Sequence, residues 1–165
     1  MHRIADGSGI TPRGRLEVTV RTPAGLLVAR RRATNIVLRG GAELIAQRFA
    51  GVATAGPIDR VKIGFGTEVA TTDVTALTPP DAVGIPAAAL ETALDPAAFT
   101  IANDQLGKIS VGVSALFTPT LDLVDVTEAA LAAKDRLYNQ VVFEPLHLHV
   151  GQNVTFFWQI DFPFG

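Results

Sequence analysis

Apolar and polar residues alternate along most of this chain, most clearly near its end. From Val154 the side chains of Val154, Phe156, Trp158, Ile160 and Phe162 point one way and Thr155, Gln159 and Asp161 the other; Phe157 alone breaks the pattern. A period of two predicts a half-buried strand, because successive side chains leave opposite faces of a sheet. Leu146, Leu148 and Val150 form a second apolar row. Between the rows, Gly151-Gln152-Asn153 tolerates the backbone angles of a tight turn, so a terminal β-hairpin is expected over 141–164.

The same reading applies upstream. Leu16, Val18 and Val20 alternate with Arg15, Glu17, Thr19 and Arg21. Thr22-Pro23-Ala24-Gly25 then places Pro and Gly for a turn, and 26–29 return as a partner strand. Val61, Ile63 and Phe65 share a face, as do Ile109, Val111, Val113, Ala115 and Phe117. Glycines within a strand, here Gly64 and Gly66, mark a bulge or the close approach of another backbone. Ala42, Ile45, Ala46 and Phe49 recur instead at helical spacing, which predicts one short helix over about 40–50. Close packing explains Gly40-Gly41 better than a phosphate loop, since the Lys-Ser/Thr ending and wider glycine spacing are missing.

Two stretches carry no clear period. Residues 1–13 read as a flexible or docking arm ahead of a single domain at 14–165. Residues 67–107, with Pro79, Pro80, Pro86 and Pro96 among alanines, read as a long irregular loop, with a helical turn or two at 87–94. The segment 121–135 is ambiguous. Thr127-Glu128 followed by five residues of Ala and Leu has helix composition, whereas Leu121 and Leu123 also suit a strand turning at Lys134-Asp135.

Composition narrows the function classes. The 165 residues fit one domain. The 14 basic and 16 acidic residues leave a formal charge of −2, so the global footprint of a nucleic-acid binder is missing. Arg30-Arg31-Arg32 on a strand would divide between two faces, which suits salt bridging better than a phosphate grip. The absence of cysteine excludes disulfides and thiolate metal sites. No run of about 18 apolar residues and no signal-peptide block is visible, so a protein made in the cytoplasm, with no membrane span, is expected. With only 18% charged residues, the surface leans toward burial in an assembly.

Candidate chemistry is sparse. His147 and His149 stand two apart and share a strand face, a spacing that can supply two metal ligands, with Glu144 or Asp161 the nearest choices for a third. Paired surface or interface histidines are the plainer reading, and no metal or cofactor is expected. The acidic pairs Asp122 with Asp125 and Glu91 with Asp95 read as solvated surface, and no serine sits in a Gly-x-Ser-x-Gly elbow. These features argue against an enzyme. A hydrolase or isomerase would need a pocket joining His147, His149 and a carboxylate.

Several spaced stretches together resemble small tail-associated structural proteins of tailed bacteriophages and of phage-derived contractile particles. They are Asn35-Ile36-Val37 before Gly41-Ala42-Glu43-Leu44-Ile45-Ala46, Ile63-Gly64-Phe65-Gly66, Thr72-Asp73 to Leu77, Thr127 to Leu131, Phe143-Glu144-Pro145, and Trp158-Gln159-Ile160-Asp161-Phe162. This chain departs from the family pattern at Ala130, where Gly is usual, and at Asn139-Gln140, where an Arg is usual. The resemblance implies that the Thr-Glu-Ala-x-Leu piece is a strand, which places strands at about 122–132 and 136–144. The expected fold is an antiparallel β-sandwich with one short helix. The resemblance also implies a non-enzymatic subunit of a baseplate, collar or fibre attachment, homo-oligomeric and docked on other tail or baseplate proteins within the assembled particle. A carbohydrate-binding β-sandwich, with Phe157, Tyr138 or Phe65 exposed beside a carboxylate to meet a surface glycan, is the alternative.

Overall fold

The computed structural model describes residues 13–68, 71–104 and 107–164, and within these the chain forms ten strands and one α-helix. In chain order they are β1 (Arg13–Arg21), β2 (Leu27–Val37), α1 (Arg39–Phe49), β3 (Arg60–Gly64), β4 (Glu91–Ala93), β5 (Phe99–Asp104), β6 (Lys108–Phe117), β7 (Leu123–Ala133), β8 (Arg136–Leu137), β9 (Asn139–Leu148) and β10 (Asn153–Pro163). The expected arm at 1–13 lies outside the described residues except for Arg13, which opens β1.

All pairings are antiparallel, and the strands follow the order β4-β3-β7-β9-β2-β1-β10-β6-β5, with β8 added to β7. The sheet curls until its ends approach: Thr92 Oγ1 on β4 donates to the Leu116 carbonyl on β6 at 3.2 Å. Its two flanks meet at β2 and β9 through only two residue pairs, Ile36 with Gln140 and Val37 with Asn139. Beyond them the strands diverge, and Arg31 spans the gap, donating from Nε to the Glu144 carbonyl and from Nη2 to the Pro145 carbonyl at 3.1 and 2.9 Å. The mainly β class with one helix is as the periodicity predicts; the sheet is continuous, and the two separate layers of a sandwich are not distinguished.

The alternating rows fill one core. Leu16, Val18 and Val20 meet Val61 and Ile63, Val113, Ala115 and Phe117, Leu146 and Leu148, and Val154, Phe156, Trp158 and Ile160. Phe156 stacks on Trp158 at 5.9 Å between ring centres and meets Phe117 edge-on at 6.3 Å. The first hairpin forms as its turn residues predict: Gly25 sits at φ +88°, and its N–H donates to the Thr22 carbonyl at 2.9 Å.

β7 confirms the strand expected at 122–132, and the structure explains why its sequence does not alternate. From Val126 to Ala133 every residue is buried. Val126, Ala129 and Leu131 enter the main core, while Ala130 and Ala132 on the other face lie under Leu38, Leu137, Val74 and Leu77. A strand covered on both faces reads as a continuous apolar run. Its turn falls at Lys134, φ +52°, held by Lys134 N–H donating to Asp59 Oδ1 at 2.9 Å.

Three expectations are corrected. The end of the chain is not a hairpin: β9 pairs with β7 and β2, whereas β10 pairs with β1 and β6. The 149–152 corner is tied instead to 119–122, with Val150 N–H donating to Asp122 Oδ1 at 3.0 Å and Gly151 N–H to the Pro119 carbonyl at 3.3 Å. Turn residues fix where a chain can bend, but strand partners are chosen by contacts distant in sequence. Next, of the described residues in 67–107, only those before Ala87 are irregular. Thereafter a 3-10 turn at Ala87–Leu90, β4, a second 3-10 turn at Pro96–Ala98 and β5 build both edges of the sheet. Edge strands need a neighbour on one side only, and so short a pair leaves little period to read. Lastly, α1 buries Gly41 and Leu44 and turns its predicted inner stripe, Ala42, Ile45, Ala46 and Phe49, to solvent. Gly41 wins because its bare Cα fits against the Tyr138 backbone, where a Cβ would come within 2.0 Å of the Tyr138 carbonyl oxygen.

Candidate functional site

The most constrained polar group in the molecule is Glu128, which β7 places on the face turned away from the main core and which is completely buried. Its Oε1 accepts from the backbone N–H groups of Gly66 and Thr78 at 3.0 and 2.5 Å, and its Oε2 from Gln140 Nε2. Thr127 Oγ1 donates to the Gly66 carbonyl at 2.6 Å. A Cβ on Gly64 would lie 2.5 Å from Glu128 Oε1, and one on Gly66 would lie 2.5 Å from Thr78 Oγ1 and 3.0 Å from both carboxylate oxygens. Gly64 at the end of β3 and Gly66 just beyond it therefore make room for a carboxylate that ties Gly66 and Thr78 to β7. Three stretches that carry the sequence resemblance, 63–66, 72–77 and 127–131, meet here.

A cavity of about 380 Å³ opens beside this carboxylate, lined by Glu128, Gln140, Thr67, Glu68, Thr71 and Thr78 among others. Among the described residues, no Lys, Arg or His pairs with Glu128. Gln140 Oε1 is buried and has no hydrogen-bond partner among the described residues. Chemically this is an acceptor-rich recess around a carboxylate that three donors already hold still. Sequence reasoning did not single out Glu128 or Gln140 for chemistry. The available signal was that Glu128 is the one charged residue in an otherwise uncharged run from Val126 to Ala133.

A second recess, about 390 Å³ and mainly apolar, lies between α1 and the sheet and is lined by Ile45, Phe49, Ile58, Phe99, Val111 and Phe162, with Tyr138 behind them. Tyr138 is buried, so it is not the exposed aromatic a glycan platform requires; burial pushes its hydroxyl up to about 12, and that hydroxyl has no partner among the described residues. Phe49 at the rim is 95% exposed.

The outward face of β1, β2 and β10 holds the third feature. Phe157 is 44% exposed and stands opposite Glu17 in the β1–β10 register. Arg30 Nη2 and Arg32 Nε hold the two oxygens of Glu17 at 2.7 and 2.6 Å, and those hydrogen bonds, Arg30 first, keep its carboxyl below the usual range. Arg15 Nη2 donates to Gln159 Oε1 at 2.6 Å. The arginine run divides between faces as expected, and its bridges are internal. Phe157, Glu17, Arg15, Arg32 and Gln159 line a shallow depression of about 640 Å³.

His147 and His149 both face outward but do not converge. His147 Nδ1 lies 3.8 Å from Asp125 Oδ1 and accepts from the Asp125 N–H at 3.4 Å, while His149 Nδ1 lies 3.5 Å from Asp122 Oδ1. Asp122 is held below the usual carboxylate range, chiefly by the Val150 N–H and then by His149. The Glu144 carbonyl serves Arg31, and the Asp161 carboxylate, toward the far end of β10, serves Ser110, Gln159 and Lys108. Among the described residues no group of three or more His, Cys, Asp or Glu side chains is placed to hold a metal ion, and neither histidine lines the recesses above. No helix among the described residues is long and apolar enough to cross a membrane. Comparison with family models, with curated proteins and with solved structures finds no match for this chain.

Proposed function

We propose that this chain is a non-enzymatic structural subunit of a phage tail or phage-tail-like particle, acting through assembly with copies of itself and with neighbouring tail or baseplate proteins. The resemblance of its spaced motifs supplies the class of particle. The observation that carries the assembly reading is the outward apolar stripe of α1. Ala42, Ile45, Ala46 and Phe49 repeat at helical spacing yet face solvent, and Phe49 stands almost wholly exposed at the rim of an apolar recess. Such a stripe next to an apolar cleft is the anatomy of a surface made to be covered. Leu26, Leu27 and Val28, all more than half exposed at the tip of the first hairpin, form another such surface.

Light scattering across a dilution series, on the wild type and on Phe49→Ser, tests this reading. A closed oligomer for the wild type that falls to monomer in the variant is expected, with unchanged unfolding of the monomer because Phe49 has little packing to lose. A strict monomer at all concentrations, which also ignores lysate from cells carrying the neighbouring genes, would overturn it.

Phe157 favours a second reading, a carbohydrate-binding module. An exposed ring beside Glu17, Arg15 and Gln159 offers a stacking surface with polar groups at its margin. Saturation-transfer NMR against surface glycans, with Phe157→Ala as the control, tests it; no transfer to any glycan removes it.

A further inference from the structure

We propose that the cavity beside Glu128 is a binding site for an N–H-bearing organic cation, of which guanidinium is the best fit. This goes beyond the assembly reading and does not depend on it. Glu128 is fully buried, and among the described residues no basic side chain pairs with it. A carboxylate taken out of water without an opposite charge is strongly disfavoured. Gln140 supplies a second sign. Its residue is 6% exposed, its Nε2 donates to Glu128 Oε2, and its Oε1 has no donor. With Glu128 ionised, turning the amide over would set two acceptors against each other, which leaves Gln140 Oε1 as the unpaired atom.

The cavity wall is mixed but carries no described positive charge. Thr67, Thr71 and Thr78 add hydroxyls and Glu68 a second carboxylate beside the apolar Phe65, Val74 and Ala76, and among the described residues no Lys, Arg or His lines it. Glu128 Oε2 and Gln140 Oε1 are linked through one amide, and both residues line the cavity. A planar fork of N–H donors engages such a pair, whereas a bare metal ion lacks a sufficient ligand set here. At about 380 Å³ the space exceeds roughly tenfold the ~30 Å³ share of one water molecule, ample for a side-chain-sized group. The cation comes either as a free small molecule or as the arginine of a protein partner.

The test is a titration of the full-length ¹⁵N-labelled chain, reading the Gln140 side-chain amide and the backbone amides of Gly66 and Thr78. The probes are methylguanidinium chloride, a capped Gly-Arg-Gly peptide, and tetramethylammonium chloride, a cation without N–H groups. Saturable shifts of all three amides with methylguanidinium and none with tetramethylammonium are expected. Glu128→Gln should weaken binding about tenfold or more, the scale of one charge-assisted hydrogen bond. If that variant does not fold, Gln140→Leu keeps the carboxylate with its two backbone donors and should show the same loss. Binding of the peptide as well assigns the cation to a protein partner; binding of methylguanidinium alone assigns it to a free small molecule. The absence of saturable shifts, or equal shifts with tetramethylammonium, would overturn the proposal and leave Glu128 an internal tether.

Discussion

Adjacent glycines at the start of α1 should respond to the same substitution in opposite directions. A Cβ on Gly41 would sit 2.0 Å from the Tyr138 carbonyl oxygen and 2.7 Å from its carbon, and these are backbone atoms that cannot rotate away. To accept Ala, the helix must withdraw by roughly 1 Å from a close-packed contact. That breaks the 3.0 Å bond from Leu38 N–H to the Tyr138 carbonyl, a loss of about 1–3 kcal/mol for a buried group. Leu38 and Leu44, both buried, lose part of their packing, which costs about 1–3 kcal/mol more. The gain from replacing Gly by Ala in a helix returns at most about 1 kcal/mol. The net expectation for Gly41→Ala is a loss of about 1–6 kcal/mol, centred on about 3. At Gly40 the nearest atom to an added Cβ is the Leu137 carbonyl oxygen at 3.5 Å, an ordinary contact. Gly40→Ala should therefore be neutral or stabilising by up to about 1 kcal/mol. Urea unfolding followed by the fluorescence of Trp158, the chain's one tryptophan, measures both, and the Gly41 variant should lower the midpoint by about 1–2 M. Equal midpoints for the two variants would refute the account of how α1 is seated.

Other consequences can be measured with the same protein. Phe156→Ala removes a buried ring that touches both Phe117 and Trp158 and should cost about 3–5 kcal/mol, read from urea midpoints; a cost below about 1 kcal/mol would contradict the packing. Arg31→Ala frees two carbonyls on β9 and should speed hydrogen exchange along the divergent part of β2 and β9, whereas Arg30→Ala, which breaks an exposed pair with Glu17, should change stability by no more than about 1 kcal/mol. The Asp59 carboxyl is held below its ordinary value by its hydrogen bond with Arg60 and, less strongly, by the Lys134 N–H, against the opposing effect of burial. A depressed carboxylate stabilises the fold above its unfolded pKa and loses that contribution as pH falls through the lower folded value. Wild type should therefore exceed Asp59→Asn in stability above the ordinary Asp range, by at most about 1 kcal/mol for a pair that keeps roughly a third of its surface in solvent, and the gap should close as the pH falls below that range. A gap that widens on acidification would reverse the sign of this reading.

Much of the fold was legible because alternation is a local property. The rows Leu16-Val18-Val20, Val113-Ala115-Phe117 and Val154-Phe156-Trp158-Ile160 each name their buried face without reference to any other part of the chain. The Thr22–Gly25 turn is equally local, since Gly25 needs only its own freedom at positive φ. The same pattern dictated a mainly β chain and one helix, and the lack of cysteine and the near-balanced charge narrowed the chemistry. Only the tertiary structure decided the rest. β9 and β10 follow one another through a corner that looks like a hairpin, yet they pair with strands distant in sequence, because ladder partners are selected by long-range packing rather than by the turn. Ala42, Ile45, Ala46 and Phe49 have the spacing of a buried stripe, yet Gly41 seats the helix on its other side, because one missing Cβ allows a closer backbone approach than four apolar side chains can offer. Glu128 and Gln140 give no sign in the sequence of a shared site until β3, β7, β9 and the residues around Gly66 and Thr78 enclose them, since burial, and with it the buried carboxyl and the unpartnered amide oxygen, exists only once distant segments close around the site.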